Sequence, residues 1–449
     1  MIKEKEIKRN PLLWEVITIF TIIVALGLPG NYQSILGESS VQVFGYTAFF
    51  LQIFVMLSSS ASSMYDIQIF NFKQKYLLIY LMLAFFFIES MLVTNFPKEQ
   101  VIACTRYTVT AMFGLWVADH YSPYKIAELV YKSQVIFIAF TLLLMIIRPS
   151  ECYMVMNGEQ SFVGLFSAKN ACAIELCSGL AAQIIMILAK KDKKKRFSPL
   201  FYVMIPIQII LFLLCLATGA VFCFLIPAVY ILLWARYSKR NRKLSIGILF
   251  TAIPVIFLFS LIPLLKLFTP FLLSIGKDPT LTGRTDIWEH IISAMQTSHT
   301  FTGYGLSMFW KDPDAMAILH SGFSKYSWYS TMSFGSHNAL IEMWTDVGLT
   351  GIAIYFITII NAFKNVEYMD DNTYMFSSFY MFIFMISGMT ERIYSTMNFQ
   401  TLFLYIILGI ACSTAKTADK DSEKELVYKF AEKKSYISPQ NRAGIAIRN

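Results

Sequence analysis

Charge is what this sequence has least of. Only 15% of its 449 residues are Asp, Glu, Lys or Arg, while 56% are hydrophobic. A soluble domain carries about 25% charged and 45–50% apolar residues. The shortage excludes a soluble globular enzyme and leaves a polytopic membrane protein. Acidic residues are the scarcer sign, with a net charge of +9. The basic surplus is not gathered on a folded domain, as nucleic-acid binding would require. It lies in short loops between apolar runs, where it acts as an orientation signal. The seven cysteines have no paired spacing, which excludes a disulfide framework and a zinc site. Cys104, Cys172, Cys177, Cys215, Cys223 and Cys412 sit in apolar runs and read as small membrane-embedded hydrophobes; Cys152 falls in an apparent external loop. The sequence has no His-Glu-x-x-His, no carboxylate cluster with ligand spacing and no glycine-rich nucleotide loop, so neither a metal nor a cofactor is expected. No internal repeat stands out, which weakens a transporter built from inverted halves.

Long apolar runs are what the sequence does have. A bilayer core takes about 20 apolar residues per helix. About twelve spans are expected, near 12–30, 42–60, 76–95, 99–119, 128–147, 169–189, 199–217, 219–235, 244–268, 347–363, 374–390 and 398–414. The first run lacks a small-residue cleavage pattern and reads as an uncleaved helix. The seventh and eighth meet at Thr218-Gly219 as a tight hairpin. The basic runs 190–196 and 236–243 belong on the cytoplasmic side, and Lys3, Lys5, Lys8 and Arg9 put the N-terminus there too. An even number of spans then makes 1–415 a transmembrane domain with 416–449 as a cytoplasmic tail. The loop at about 269–346 faces outward with two smaller loops, about 148–168 and 391–397.

The large outward loop and its neighbours hold the polar chemistry. Ile287, Trp288, Ile291, Ile292 and Met295 fall on one helical face, and Asp286 with Glu289 has capping-box spacing. A short amphipathic helix is therefore expected to begin near Asp286 at the membrane surface. Arg284 would stand just ahead of it, where free amides, the positive dipole end and a guanidinium suit a phosphate or pyrophosphate. Gly303-Tyr-Gly305 reads as a structural bend. At the loop's far end Asn338 and Glu342 are one helical turn apart. His337 precedes them, able to serve as a general base or to bond a phosphate; an ordinary surface histidine is the competing reading. Within the membrane, Arg106 is costly unless it faces a polar interior, which makes it a functional candidate; outward snorkelling is the alternative. Glu175 is the other ionisable group deep in a span. Lys169 and Asn170 sit where an outward loop meets the sixth span, as a point charge and a helix cap or as a snorkelling pair.

On these residues the sequence resembles the O-antigen ligase-like membrane protein family, most closely exopolysaccharide polymerases of the ExoQ kind, alongside Wzy-type polymerases. The likeness rests on Arg106 with Gly114-Leu-Trp-Val-Ala118, Gly164-Leu-Phe-Ser-Ala-Lys-Asn170 and Asp278-Pro-Thr-Leu-Thr-Gly-Arg-Thr-Asp-Ile-Trp288. It continues through Gly303-Tyr-Gly305, His337-Asn338 with Glu342, and Gly348-Leu-Thr-Gly351. The hairpin at Thr218-Gly219 departs from the family in lacking Ser-Arg. The resemblance implies a multi-helix GT-C-type glycosyltransferase fold with a metal-independent site under the external loop. It implies glycans carried on undecaprenyl diphosphate as donor, a glycan acceptor, the bilayer, and a chain-length regulator with other assembly proteins as partners. Arg106 and Arg284 would grip the donor diphosphate with Lys169 in support. His337 would be the base, and Glu391 an outward acidic residue of the site. Polymerisation of lipid-linked repeat units at the outer face of the cytoplasmic membrane is the expected function. A ligase passing a finished glycan to lipid or protein shares the mechanism. A lipid-linked oligosaccharide flippase would instead spread charge along a central cavity.

Overall fold

The computed structural model describes residues 11–27, 37–61, 73–156, 159–166, 168–189, 196–237, 243, 245–274, 283–323, 335–392 and 398–414. The expected tail at 416–449 lies outside them, as do most of the two basic runs and the motif residues 278–282.

Helices dominate: α1 (Pro11–Ala25), α2 (Glu38–Ala61), α3 (Leu77–Val93), α4 (Pro97–His120), α5 (Pro123–Ile147), α6 (Lys169–Leu188), α7 (Pro199–Leu214), α8 (Thr218–Tyr237) and α9 (Ile246–Ser274). Then come α10 (Arg284–Ser298) and α11 (Pro313–Phe323) in the large loop, followed by α12 (Ala339–Ala362) and α13 (Asp371–Gly388), and by α14 (Phe399–Thr414). Each expected span overlaps a helix among the described residues. Among the described residues, seven stretches are long and apolar enough to cross a membrane: Ser39–Ser59, Gln74–Val93, Pro97–His120, Pro123–Ile147, Lys169–Leu188, Thr218–Arg236 and Ala339–Tyr368. Leu12–Ala25, Pro199–Leu214, Ile246–Ser260 and Phe399–Thr414 are apolar but shorter. The chain is thus an all-α multi-pass membrane protein by element content, with one departure. Strands β1 (Tyr153–Met156) and β2 (Glu159–Phe162) pair antiparallel in the 148–168 loop. Asn157-Gly158, the dipeptide best suited to a two-residue hairpin connection, separates them in the sequence.

Polar contacts assign the helix ends to two opposite sides. Lys73, Lys75 and Tyr76, just before α3, meet Asp119 at the end of α4 (2.7, 2.5 and 2.8 Å), and Lys75 also reaches Ser413 at the end of α14 (2.7 Å). Glu15 near the start of α1 pairs with Lys125 at the start of α5 (2.9 Å). Gln183 near the end of α6 donates to the Phe201 carbonyl at the start of α7 (3.2 Å). Lys243 before α9 donates to the Met369 carbonyl before α13. On the other side, Asn95 between α3 and α4 reaches Asp312 of the large loop (3.2 Å), and Asn170 at the start of α6 reaches Glu391 after α13 (2.6 Å).

The large loop has a core of its own. Ile287, Trp288, Ile291, Ala294 and Met295 of α10 pack with Tyr304, Phe309, Ala315 and Leu319, and against Ile341 of α12. The expected apolar face of α10 is therefore buried against protein, with Ile292 at its margin. Trp288 is fully buried, and its indole N–H donates to the Ser336 carbonyl at 2.6 Å.

α12 starts at Ala339, eight residues before the expected 347, and is broken at Gly348 (φ 61°, ψ −174°). That conformation is open essentially to glycine alone. The break leaves backbone groups without helical partners, and residues 300–305 supply them. Tyr304 and Gly305 donate N–H to the carbonyls of Thr345 and Asp346 (2.8 and 3.0 Å), while Leu349 and Thr350 donate to Thr300 and Phe301 (3.0 and 3.2 Å). The carboxylate of Asp346 also accepts the Ser307 N–H at 2.8 Å. Gly303 (φ 67°) and Gly305 (φ 92°) let this strap fit: a Cβ at Gly303 would lie 2.6 Å from the Asp346 carbonyl. The Gly303-Tyr-Gly305 bend is structural, as expected, and its partner is the broken helix.

Candidate functional site

Four chain segments meet where α6, α10, α12 and the end of α13 adjoin. Their common point is the Glu391 carboxylate. α13 ends at Gly388, and a turn carries the chain past it, with the Thr390 and Glu391 N–H groups on the Ser387 carbonyl (3.1 and 2.8 Å). Glu391 Oε1 accepts from Arg284 Nη2 at 2.8 Å and from Asn170 Nδ2 at 2.6 Å. Its Oε2 lies 3.5 Å from His337 Nδ1, at the outer limit of a hydrogen bond. Burial pushes this carboxyl up. The His337 contact and the Arg284 charge outweigh it and, helped by Asn170, hold the group below the ordinary glutamate range.

Each partner is placed by local chain chemistry. Gly283 (φ 81°) is the N-cap of α10, so the helix begins at Arg284 itself. This corrects the expected start near Asp286: Arg284 stands in the first turn and Asp286 at its third position. The left-handed backbone that only Gly283 adopts cheaply moves the boundary two residues earlier. Asn338 is the N-cap of α12, its side-chain oxygen accepting from Leu340 and Ile341 N–H (2.9 and 3.0 Å). Its Nδ2 donates to the Met389 carbonyl at 3.0 Å, tying this helix start to the turn that presents Glu391. His337, one residue earlier, has φ 46°, a backbone region in which histidine is enriched several-fold among non-glycine residues. Asn170 is not a cap: the N-cap of α6 is Ala168, which frees the Asn170 amide for Glu391.

A second carboxylate lies beside the first. Glu342 is 3% exposed. Its Oε1 is 3.4 Å from Arg392 Nη1 and accepts from Trp310 Nε1 at 3.3 Å, and its Oε2 accepts the Ser336 N–H at 3.3 Å. Asn338 and Glu342 both face the site, as their spacing implied, although Asn338 caps the helix rather than lying within it.

Two expected members stand apart in the described contacts. Lys169 Nζ bonds Ser161 Oγ of β2 at 3.3 Å. Arg106 lies over the Tyr46 ring at 4.9 Å, half-buried on α4 and facing α2; no described bond joins it to Glu391. Inside the membrane, Glu175 is held by Gln400 of α14 at 2.7 Å. Sequence reasoning missed Arg392, Trp310 and Ser336. Arg392 could have been suspected as the neighbour of Glu391. The other two gave no signal, because their roles depend on where Glu342 folds.

Chemically, two arginines, an asparagine amide and a histidine converge around two carboxylates on one side of an apolar helix bundle. With Nδ1 donating to Glu391, the His337 ring leaves Nε2 free to accept a proton.

None of the curated proteins searched matches the chain. Residues 203–356 match the family model described as O-antigen ligase (Wzy_C). That stretch runs from α7 into α12 and contains Arg284, His337, Asn338 and Glu342; Arg106, Lys169, Asn170 and Glu391 lie outside it. Over this third or so of its length the chain is similar to the O-antigen ligase domain, a match that supports an O-antigen ligase-like family of membrane proteins.

Proposed function

We propose that the protein is a membrane glycosyltransferase that polymerises undecaprenyl-diphosphate-linked oligosaccharide units into an exopolysaccharide, capsule or O-antigen at the outer face of the cytoplasmic membrane. The convergence of Arg284, Asn170 and His337 on one carboxylate supports this reading most. It gathers diphosphate-binding donors and a candidate base at one end of the bundle. The family match supports ligase- or polymerase-type chemistry in general.

In the proposed step the acceptor hydroxyl attacks the anomeric carbon. The new bond joins acceptor oxygen to that carbon with inversion. The bond to phosphate breaks, and its electron pair leaves with the polyprenyl diphosphate. The hydroxyl proton passes to His337 Nε2 while Nδ1–H stays on Glu391. Arg284 neutralises charge on the departing diphosphate. A small apolar crevice between α9, α12 and α13 is lined by Phe250, Pro254, Leu340, Met343 and Phe384. It reaches Ala339, next to the Asn338 cap.

The test is to change Arg284→Ala and His337→Ala separately and compare glycan chain lengths at matched membrane levels of protein. Loss of long chains in both is expected. Unchanged polymer together with unchanged transfer of finished glycan in both mutants sinks the site. The family description favours one second reading, ligation. Under it the same variants would leave chain length intact and abolish transfer of finished glycan to its lipid or protein acceptor.

A further inference from the structure

We propose that Glu391 occupies, in the substrate-free protein, the place of a donor phosphate oxygen, and that the diphosphate binds by displacing it from Arg284 and Asn170. This rests on reading those two residues as donor-binding groups.

The geometry carries the argument. Glu391 Oε1 takes two short hydrogen bonds, 2.8 Å from a guanidinium and 2.6 Å from a side-chain amide. A phosphate oxygen accepts from the same donor types in the same way. Both donors come from helix beginnings, Arg284 from the first turn of α10 and Asn170 from the first turn of α6. At such ends, unpaired amides and the helix dipole already favour an anion. Glu391 belongs to neither helix. It hangs from the turn beyond α13, so it can withdraw without moving α6 or α10.

Its two oxygens have separate partners. Releasing Oε1 leaves Oε2 beside His337 Nδ1, so withdrawal from the anion site need not cost the histidine its orienting group. Without donor, Arg284 and Asn170 are occupied and their charge is neutralised in a poorly solvated place. Glu391 and Arg284 side chains are only 19% and 21% exposed. With donor, a dianion or trianion with several oxygens replaces a single carboxylate oxygen. The internal carboxylate competes for the site, so apparent affinity for the diphosphate is lowered by the fraction of molecules in which the site is filled.

The reading separates Glu391 from a merely structural residue, because removing its charge should tighten anion binding. The full-length protein in detergent is titrated with inorganic pyrophosphate by calorimetry. Wild type should bind, Arg284→Ala should bind at least about tenfold more weakly, and Glu391→Gln about tenfold more tightly. Equal or weaker binding by Glu391→Gln, with Arg284 still required, overturns the displacement alone. Binding that Arg284→Ala leaves unchanged overturns the underlying reading of the site, and no binding by wild type or Glu391→Gln overturns both. A measurement on wild type guards against misfolding of the variant. Carbodiimide labelling of Glu391, read by peptide mass spectrometry, should rise at saturating pyrophosphate. Protection by pyrophosphate contradicts displacement.

Discussion

At the scale of residues, the site is decided by what shares Glu391. Its carboxyl is held below the ordinary glutamate value of 4.5, so it stays ionised at neutral pH. A depressed acid stabilises the fold above its unfolded pKa and loses that contribution as pH falls through the folded one. The docking of α10 on the α13 turn should therefore be constant from pH 7 to about 5 and weaken below about 4.5. Melting of the purified protein across that range checks this. Glu391→Gln should flatten the acid limb, and an identical limb in the variant would show that another group titrates. Charge-assisted hydrogen bonds contribute about 1.5–3 kcal/mol each, which sets the size of the effect. Arg106 is a separate case, since its described neighbour is an aromatic ring. If it grips diphosphate, Arg106→Lys keeps the charge and loses the planar fork, and donor affinity should fall about tenfold. Unchanged donor affinity and activity would confine Arg106 to its contact with Tyr46.

At the scale of elements, two joints hold the site in shape. One is the Gly348 break in α12. A Cβ there would lie 2.2 Å from the Phe301 carbonyl group, in a backbone region that costs other residues about 1–3 kcal/mol before any clash. Gly348→Ala should expel the 300–307 strap, seen as faster amide exchange at Tyr304 and Gly305; unchanged protection there would refute the joint. The other is the seat of α10. Trp288→Ala removes a fully buried indole and the donor to the Ser336 carbonyl. A loss of about 3–5 kcal/mol is expected, measured by urea unfolding of the loop followed by protease cleavage. Both joints were half legible. Glycines at 303, 305 and 348 announce unusual backbone, and the 287–295 periodicity announces a buried face. Nothing local says that the strap and the break satisfy each other's hydrogen bonds, because those partners are some forty residues apart.

At the scale of the whole molecule, helix ends sort into two sides, and Lys73, Lys75, Lys125, Lys132 and Lys243 lie on the side away from the site. If that side is cytoplasmic, as the distribution of basic loops along the sequence predicts, the site faces outward. All seven native cysteines are buried, so His320→Cys should label cleanly. A membrane-impermeant thiol reagent added to intact cells should reach it, and labelling only after permeabilisation would invert the topology.

By itself the sequence determined the class of molecule. Apolar runs of bilayer length, interrupted by basic loops, have few alternatives to membrane helices, because lipid offers no partners for an unpaired backbone. It also marked Arg284, His337, Asn338 and Glu342 through helix-terminus chemistry, which is local. Only the tertiary structure decided what those residues touch. It set Asn170 and Arg284 on one oxygen of Glu391, drew Arg392 and Trp310 onto Glu342, and left Lys169 and Arg106 with other partners. Such pairings join residues from 32 to 221 positions apart. They depend on the packing of α6, α10, α12 and α13, and no spacing along the chain encodes that.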